Sequence, residues 1–301
     1  MRSKLEGNQM IVITGPTAVG KSQLLMELFS NYEGPILSAD SRQIYKEMSI
    51  GTAKPSVEEI TTLGLRLVDH TSIHTPYHAG MYEREAMQII DAALAKGQVP
   101  VLSGGTGLYI RAVAEGLDII PEVSPESIAT LNAQAKEDYQ SILEELKAKD
   151  AKYYTQIDTN NKHRVIRALS VIRHTEKPFS SYLNQKKPKP FKTSYIVLER
   201  TRENLYERIN SRVHQMMEQG LLDEVKSLWK YRELKALQTV GYQELFRHLD
   251  GQCSLDESVQ LIQQNSRRYA KRQMTWFRNQ LQGEYFHPED IQGVREYIGS
   301  L

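Results

Sequence analysis

A glycine-rich loop near the N-terminus constrains this chain most strongly. Eight consecutive residues have the composition of a phosphate-binding loop: Gly15, Pro16, Thr17, Ala18, Val19, Gly20, Lys21 and Ser22. The loop follows the apolar run 10–13, which predicts a buried strand, and a helix is expected to begin near Lys21. Backbone N–H groups of the loop and the helix N-terminus would then converge on one anion. Lys21 can reach a terminal phosphate and Ser22 can bind Mg²⁺, so the loop predicts a phosphate site without naming its chemistry.

Composition indicates a globular protein of one large domain or two modest ones. The 301 residues are 40% hydrophobic and 25% charged. No run approaches the roughly 18 apolar residues of a membrane span, and residues 1–7 lack the apolar stretch of a secretory signal. Cys253 is the single cysteine, so neither an internal disulfide nor a cysteine cluster for metal is expected. We therefore expect a cytoplasmic protein without membrane contact, and a monomer.

The first 115 or so residues alternate strand and helix patterns, as parallel α/β sheets do. Strands are predicted at 10–14, 35–39, 65–68 and 99–103, with helices at 21–32 and 81–96. Asp40 and the turn at 104–106 each follow a predicted strand. In an open parallel sheet, ligands bind at the carboxyl ends of the strands. The phosphate loop, Asp40 and this turn are therefore expected to meet at one edge.

Beyond residue 116 the pattern becomes helical. Helices are predicted at 128–149 and 161–174, a return to the sheet at 195–198, and helices over the remainder at 202–219, 221–231, 241–249 and 254–279. The sequence thus predicts a phosphate-loop α/β core from residues 1–116 and 192–301. Residues 117–191 are predicted to form a helical insertion domain.

Asp40 and Thr106 each allow two interpretations. Asp40 can accept a proton or help to hold magnesium near a phosphate, or it can simply cap the next helix. Thr106 can face the site or act as a helix N-cap, and both roles are compatible. The strand before Thr106 ends without the acidic magnesium ligand that nucleotide-hydrolysing phosphate-loop proteins usually carry. That absence argues against a motor protein or a GTPase.

Basic residues are concentrated although the net charge is only +1. Arg208 and Arg212 share a helix face, which suits a diphosphate or, alternatively, ion pairs with Glu203 and Glu207. A second group lies between 264 and 279, a stretch without acids: Arg267, Arg268, Lys271, Arg272 and Arg278. Its like-charged i, i+4 pairs cost a helix about 0.2–0.5 kcal/mol each, which predicts phosphates facing that surface. Trp276 and Phe277 can pack as core residues or stack on a base, and the core role is favoured. A third basic group comprises Lys186, Lys187, Lys189 and Lys192.

Several strings together resemble the tRNA dimethylallyltransferase (tRNA isopentenyltransferase) family. They occur in the family's order at 15–22, 40–45, 50–55, 104–109, 164–169, 220–225, 240–242 and 270–278. The phosphate loop is shared with many kinases, whereas the strings at 50–55 and 270–278 are far more specific. The resemblance covers most of the chain. The zinc-finger tail of eukaryotic relatives is not found in this sequence, which is therefore expected to be similar to the bacterial type.

The resemblance implies transfer of a dimethylallyl group from dimethylallyl diphosphate to N6 of the adenosine 3′-adjacent to the anticodon of tRNA, with Mg²⁺ as cofactor. It implies that residues 15–22 and Arg208 bind the diphosphate, with Ser22 on the metal. Asp40, Thr106 and Arg212 would be catalytic, Asp40 engaging N6 and Thr106 lining the channel. Contacts to the anticodon stem-loop are expected from Asp40, Ser41, Arg42, Gln43, Asn161, Arg164, Arg167, Lys271, Arg272 and Arg278.

Two other functions remain open at the level of the sequence. A small-molecule or nucleotide kinase using ATP would explain residues 15–22 but not the basic helix or the turn at Thr106. A non-catalytic RNA-binding protein would explain the basic helix but not the phosphate site.

The transfer that the resemblance implies also gives the helical insertion a role. The adenine must leave its stack to reach a buried site, and the helical insertion would then clamp the RNA.

Overall fold

The computed structural model describes residues 8–185 and 188–301 of the chain. Two compact units are formed: one combines Met1–Ala114 with Lys189–Leu301, and the other is Glu115–Pro188. Residues 1–7 and two members of the third basic group, Lys186 and Lys187, lie outside the described residues. Among the helices in the described ranges, none combines the length and hydrophobicity needed to cross a bilayer.

A six-stranded sheet forms the centre of the first unit. Its strands are β1 (Gln9–Thr14), β2 (Ile36–Ser38), β3 (Leu65–Arg66), β4 (Val101–Gly104), β5 (Lys192–Leu198) and β6 (Glu284–Phe286). Their order is β3-β2-β4-β1-β5-β6, and every neighbouring pair is parallel. In β1, Ile11 lies opposite Val101 and Ile13 opposite Ile196. The predicted phosphate-loop α/β class is thus confirmed.

Helices surround this sheet and make up the second unit. In chain order they are α1 (Lys21–Phe29), α2 (Val57–Leu63), α3 (Ala79–Leu94), α4 (Gly107–Glu115), α5 (Pro125–Glu137), α6 (Tyr139–Lys149), α7 (Ala151–Gln156), α8 (Lys162–Thr175), α9 (Arg202–Glu218), α10 (Leu221–Leu228), α11 (Tyr242–Leu249), α12 (Leu255–Gln280) and α13 (Ile291–Ser300). Short 3₁₀ turns occur at Ile50–Thr52, Phe179–Tyr182, Trp229–Tyr231 and Lys235–Leu237.

The sheet is covered on both faces, which explains why β1 reads as an uninterrupted apolar run. Its residues 10–13 are completely buried. On one face Ile11 and Ile13 pack with α1, whose buried residues Leu24, Leu25 and Leu28 repeat at helical spacing. The second unit has its own core, in which Leu131, Leu146 and Leu169 are almost completely buried. Each unit therefore buries apolar surface of its own.

Two predictions about the elements were wrong. The expected single helix 128–149 is two helices, because Asp138 leaves helical geometry and its carboxylate accepts a hydrogen bond from Ser141 N at 3.0 Å, which starts α6. The expected all-helical C-terminal region contains β6, a three-residue edge strand whose Glu284 and Tyr285 are exposed. A strand this short has no periodic signal to read. The pairing of β6 with β5 is set by the fold rather than by local sequence.

Gly104 ends β4 at a point where two backbones nearly touch. A Cβ at this position would lie 2.3 Å from the carbonyl oxygen of Ala39 and 2.8 Å from its Cα. Backbone atoms cannot swing aside as a flexible side chain can. The close approach brings the end of β4 beside the residue that precedes Asp40.

We expect Gly104→Ala to lower the free energy of unfolding by about 1–3 kcal/mol or more, because the added methyl forces these strands apart. The matched control is Gly299→Ala in α13, where a Cβ would meet nothing within 4 Å. That substitution should be neutral or stabilise by up to about 1 kcal/mol. Urea denaturation of both variants checks the prediction, and equal stabilities would contradict it.

Candidate active site

A cavity of about 870 Å³ opens at the carboxyl ends of β1, β2 and β4. Its walls include the phosphate loop from Thr17 onward, the segment 40–43 and the turn Gly104–Gly105. Arg208, Arg212 and Arg272 line it as well. All of these residues belong to the first unit. The edge at which the sequence predicted a meeting of three motifs is therefore the edge that carries the cavity.

Cationic side chains hold the carbonyl oxygens of the phosphate loop. Lys21 Nζ donates to Gly15 O at 2.8 Å and to Pro16 O at 2.9 Å. From the other side, Arg208 Nε donates to Ala18 O and Arg200 Nε donates to Val19 O, both at 2.9 Å. Of the five successive carbonyl groups of residues 15–19, only that of Thr17 is not bound by a cation, so these contacts fix the loop conformation. Arg200 was not predicted as a site residue.

Arg212 adds a third guanidinium to the same place. Its Nη1 lies 3.5 Å from Thr17 Oγ1. Burial and the neighbouring Arg208 lower the pKa of Arg212, and burial together with Arg200 lowers the pKa of Arg208. The contacts of both arginines go to the loop, as expected for the diphosphate interpretation of this helix face rather than for ion pairs with Glu203 and Glu207. Such mutual repulsion among buried cations is relieved when an anion lies between them.

Lys21 is the most strongly perturbed base of the site. Burial lowers its pKa from 10.5 to about 8, while Asp40 acts in the opposite direction and Arg212 in the same one. The ammonium group is therefore held close to its titration point at neutral to mildly alkaline pH. An anion in the cavity would stabilise its charged form.

Asp40 follows β2 and forms a turn with its own backbone. Its Oδ1 accepts hydrogen bonds from the N–H groups of Arg42 at 2.9 Å and Gln43 at 3.2 Å. No helix begins at this turn, so Asp40 does not cap a helix, the alternative that the sequence left open. Its carboxylate lines the cavity. Within the described part of the chain no donor is assigned to Oδ2. One carboxylate oxygen thus orients the group while the other is available to a substrate.

Thr106 is bound to the segment that carries Asp40. Its backbone N–H donates to Ala39 O at 3.0 Å, and its hydroxyl accepts a hydrogen bond from Ser41 N at 3.0 Å. The hydroxyl also contacts Ser41 Oγ at 3.3 Å and makes a side-chain hydrogen bond with Tyr269. Burial raises the pKa of Tyr269 to about 12, with Asp40 adding to the effect. Tyr269 was missed in the sequence, and it stays a neutral phenol at physiological pH.

The helices α10 and α11, with the turns between them, brace residues 40–53. Glu224 accepts hydrogen bonds from the N–H groups of residues 49, 50 and 51 at 2.8–3.1 Å and from Tyr242 Oη at 2.6 Å. The carbonyls of Thr52 and Ala53 in turn accept from Gln43 Nε2, at 3.2 and 3.0 Å. Arg42 Nη1 donates to Ala236 O at 2.9 Å. The predicted tRNA contacts of Arg42 and Gln43 stay predictions, and both side chains already have structural partners.

The basic residues of α12 lie near the cavity. Lys271 and Arg272 are exposed and border a surface groove of about 350 Å³ together with Trp276, and Arg272 lines the main cavity too. Arg278 pairs with Glu199 at 3.2 Å and is largely exposed. Phe277 is fully buried, as expected of a core residue. Their RNA contacts stay predictions.

The predicted contacts at 161–167 lie in the second unit. Asn161 caps α8 through a hydrogen bond from Arg164 N at 3.2 Å, and Arg164 is exposed. Arg167 is partly buried and donates to Pro121 O at 3.1 Å. In the third basic group Lys189 forms an ion pair with Glu83 at 2.7 Å, and Lys192 begins β5. Among the described contacts, no side-chain hydrogen bond or ion pair is assigned to Arg164 or Lys192.

One further residue connects two segments that line the cavity and was missed in the sequence. Gln273 accepts a hydrogen bond from Thr17 N at 2.9 Å and donates to Gly105 O at 2.8 Å. The sequence does contain a signal for this role, because Gln273 is the polar member of the buried stripe Ala270–Gln273–Phe277 on α12. A polar side chain on a buried face needs partners, and here they are two backbone groups of the site.

Fold and site together define a phosphate-loop α/β protein in which the carboxylate of Asp40 lines the cavity beside the loop. The family model described as IPP transferase matches residues 43–280. A tRNA dimethylallyltransferase of Cytophaga hutchinsonii is 43% identical over 96% of this chain and 96% of that protein. A tRNA dimethylallyltransferase 1 of Bacteroides thetaiotaomicron is 43% identical over 96% and 94%. The chain belongs to the IPP transferase family.

Solved structures are similar over the same length. The crystal structure of the full-length tRNA isopentenylpyrophosphate transferase of Bacillus halodurans has a TM-score of 0.71 at 33% identity, covering 98% of this chain and 96% of that one. A eukaryotic dimethylallyltransferase acting on tRNA has a TM-score of 0.78 at 27% identity, covering 90% and 70%. The family resemblance seen in the sequence is confirmed.

The lowered pKa of Lys21 predicts that anion binding weakens in alkaline solution. A bound anion favours the ammonium form, so affinity should be constant below pH of about 8 and fall as the pH rises above it. The measurement is calorimetric titration with an alkyl diphosphate, whose last ionisation, near pH of about 6, is complete in this range. Lys21→Met should bind more weakly and without this dependence. A decline of equal steepness in both proteins would assign it to another group.

Proposed function

We propose that this protein transfers a dimethylallyl group from dimethylallyl diphosphate to N6 of the adenosine 3′-adjacent to the anticodon of tRNA, releasing diphosphate. The observation that carries the proposal is the single cavity that holds a cationic phosphate loop and the carboxylate of Asp40. Family membership supports it, because the relatives are named tRNA dimethylallyltransferases. A cavity of about 870 Å³ has room for a five-carbon diphosphate and a purine together.

The donor side stabilises a leaving group. Breaking the allylic C–O bond places negative charge on the departing diphosphate, and preorganised donors at that position lower the barrier. Lys21, Arg208 and Arg212 supply positive charge there, together with the N–H groups of the loop. These cations are already in place and partly desolvated, so little reorganisation is needed when the bond breaks.

The acceptor side removes a proton. The exocyclic amine of adenine is a poor nucleophile, and a carboxylate that takes its proton as the new C–N bond forms assists attack. Asp40 Oδ1 is occupied by two backbone N–H groups, so we assign the proton to Oδ2. Thr106, held by Ser41 and Tyr269, would line the approach of the base.

We also propose Mg²⁺ as the cofactor. Magnesium at diphosphates is usually held by one or two protein oxygens, substrate phosphates and water. The cavity offers the exposed hydroxyl of Ser22 and the carboxylate of Asp40, and the described residues contain no cluster of three or more acidic, His or Cys ligands. This donor set fits magnesium bound mainly through the substrate, with Ser22 as ligand. The ion would neutralise charge on the leaving diphosphate.

The partner on the acceptor side would be the anticodon stem-loop of tRNA. Lys271 and Arg272 lie next to the cavity, where the flanking phosphates of an extruded base would pass. Asn161, Arg164 and Arg167 in the helical unit are proposed as further contacts. We propose that the protein works as a monomer in the cytoplasm, where its RNA substrate is found.

Incubation with unmodified tRNA, Mg²⁺ and radiolabelled dimethylallyl diphosphate, beside a parallel reaction with ATP, tests this function. Label in the RNA supports the proposal. ATP consumption with a small acceptor would instead identify the kinase that the sequence left open. Tight RNA binding without label transfer would identify a non-catalytic RNA-binding protein. The names of the relatives favour the transferase over the kinase.

Asp40→Asn should lower kcat by about 100- to 10,000-fold, since the amide keeps an oxygen for the Arg42 and Gln43 N–H groups but cannot take a proton. The dissociation constants for tRNA and for the diphosphate should change little. Single-turnover transfer and filter binding measure the two quantities. The control is Asp91→Asn on the exposed face of α3. Normal turnover by Asp40→Asn would remove this carboxylate from the mechanism.

Replacing Lys271 and Arg272 together by Ala should weaken tRNA binding and flatten its salt dependence. Each lost contact with a single-stranded phosphate reduces the slope of log K against log salt by about 0.7. Affinities measured over a series of KCl concentrations give the slope, with Lys96→Ala, at an exposed position just after α3, as the control. An unchanged slope in the double variant would assign these cations to a structural role.

A further inference from the structure

Gln273 is a buried amide on a helix whose outer face is basic. It lies on the buried face of α12, and only 7% of the residue is exposed. Burying an amide is costly unless its hydrogen bonds are made. Both of its hydrogen bonds go to backbone groups of the candidate site. These two partners define what Gln273 does.

The two ends of the amide bind two neighbouring segments that both line the cavity. Oε1 accepts from Thr17 N at 2.9 Å, in the loop that would hold the diphosphate. Nε2 donates to Gly105 O at 2.8 Å, directly before Thr106. A Cβ on Gly105 would lie 2.4 Å from that nitrogen, so only glycine permits the contact without displacement. One side chain therefore spans the donor loop and the turn on the acceptor side.

Neighbouring residues of α12 strengthen this connection. Tyr269, one turn earlier, makes a side-chain hydrogen bond with Thr106. Trp276, one turn later, lies against Gly107, where an added Cβ would come within 2.6 Å of the indole ring. The helix thus contacts the segment 105–107 through Tyr269, Gln273 and Trp276. Through Gln273 it also contacts the phosphate loop.

We propose that Gln273 is a positioning residue that sets the distance between the diphosphate donor and the adenine acceptor. The proposal rests on the proposed function. Transfer between two bound molecules requires reacting atoms about 3–3.5 Å apart, and a misplacement of about 1 Å can cost about 100-fold in rate. Because both of its hydrogen bonds go to the protein backbone, Gln273 would act through Thr17 and Gly105.

Gln273→Met tests the role, because methionine has similar length and volume but removes both hydrogen bonds. We expect kcat to fall at least about tenfold, while KM for tRNA and the dissociation constant of dimethylallyl diphosphate change less than about threefold. Gln273→Glu keeps an acceptor for Thr17 N–H, loses the donor to Gly105 O and adds negative charge beside the diphosphate. That variant should lower kcat and also weaken diphosphate binding.

The matched control is Gln264→Met, the same substitution at an exposed position of α12, which should retain wild-type kinetics. Titration with dimethylallyl diphosphate gives the fraction of each variant that is folded and able to bind. A kcat loss equal to the loss of binding-competent protein would mean a merely structural role and overturn the proposal. A Gln273→Met variant with wild-type kcat would overturn it as well.

The proposal and the function on which it rests fail in different ways. If the wild-type chain transfers label and Gln273→Met transfers it equally fast, the positioning role alone is wrong. If the wild-type chain transfers no label to RNA, the proposed function is wrong and the positioning role falls with it. A drop in kcat with unchanged binding of both substrates supports both.

Discussion

The carbonyl oxygens of the phosphate loop are bound by cations, and the donor side of the site depends on this interaction. Lys21, at the end of the loop, donates to the carbonyl group of Gly15 at its start. Arg208 and Arg200, from outside the loop, donate to the carbonyl groups of Ala18 and Val19. The loop is thereby made rigid by the same charges that attract an anion. Because these charges are partly buried and repel one another, the lowered pKa values of Lys21 and Arg212 record an electrostatic cost that a bound diphosphate would offset.

The proposed acceptor side, around residues 40–53, is organised differently. There, neutral backbone N–H groups donate hydrogen bonds to a few carboxylates. Asp40 orders its own turn, while Glu224 collects three backbone N–H groups and the Tyr242 hydroxyl. Gln43 connects the two clusters through the carbonyls of Thr52 and Ala53. A charged group saturated by fixed donors keeps its place, so the chain from Glu224 to Asp40 can present a carboxylate oxygen in a constant orientation.

Local signals made much of this readable from the sequence. The buried strands, the phosphate loop and the helix face of Arg208 and Arg212 are encoded in short stretches, and the structure follows them. Arg200 and Gln273 could not be predicted as site residues because their partners in the loop are 181 and 256 residues away in the chain. The division of the predicted helix at Asp138 and the edge strand β6 were not predicted either, because a single helix cap or a three-residue strand leaves almost no sequence pattern.

The central strand β1 has β5 as one of its neighbours, and the phosphate loop that follows it is braced by α9 and α12. During synthesis on a ribosome, the loop emerges long before any of these elements exists. β1 has an unpaired edge until β5 has been made, and the loop lacks Arg208 and Gln273 until α9 and α12, in the last third of the polypeptide, follow. The nascent protein therefore cannot complete the proposed donor site early, and its anion affinity would arise as one of the final events of its maturation.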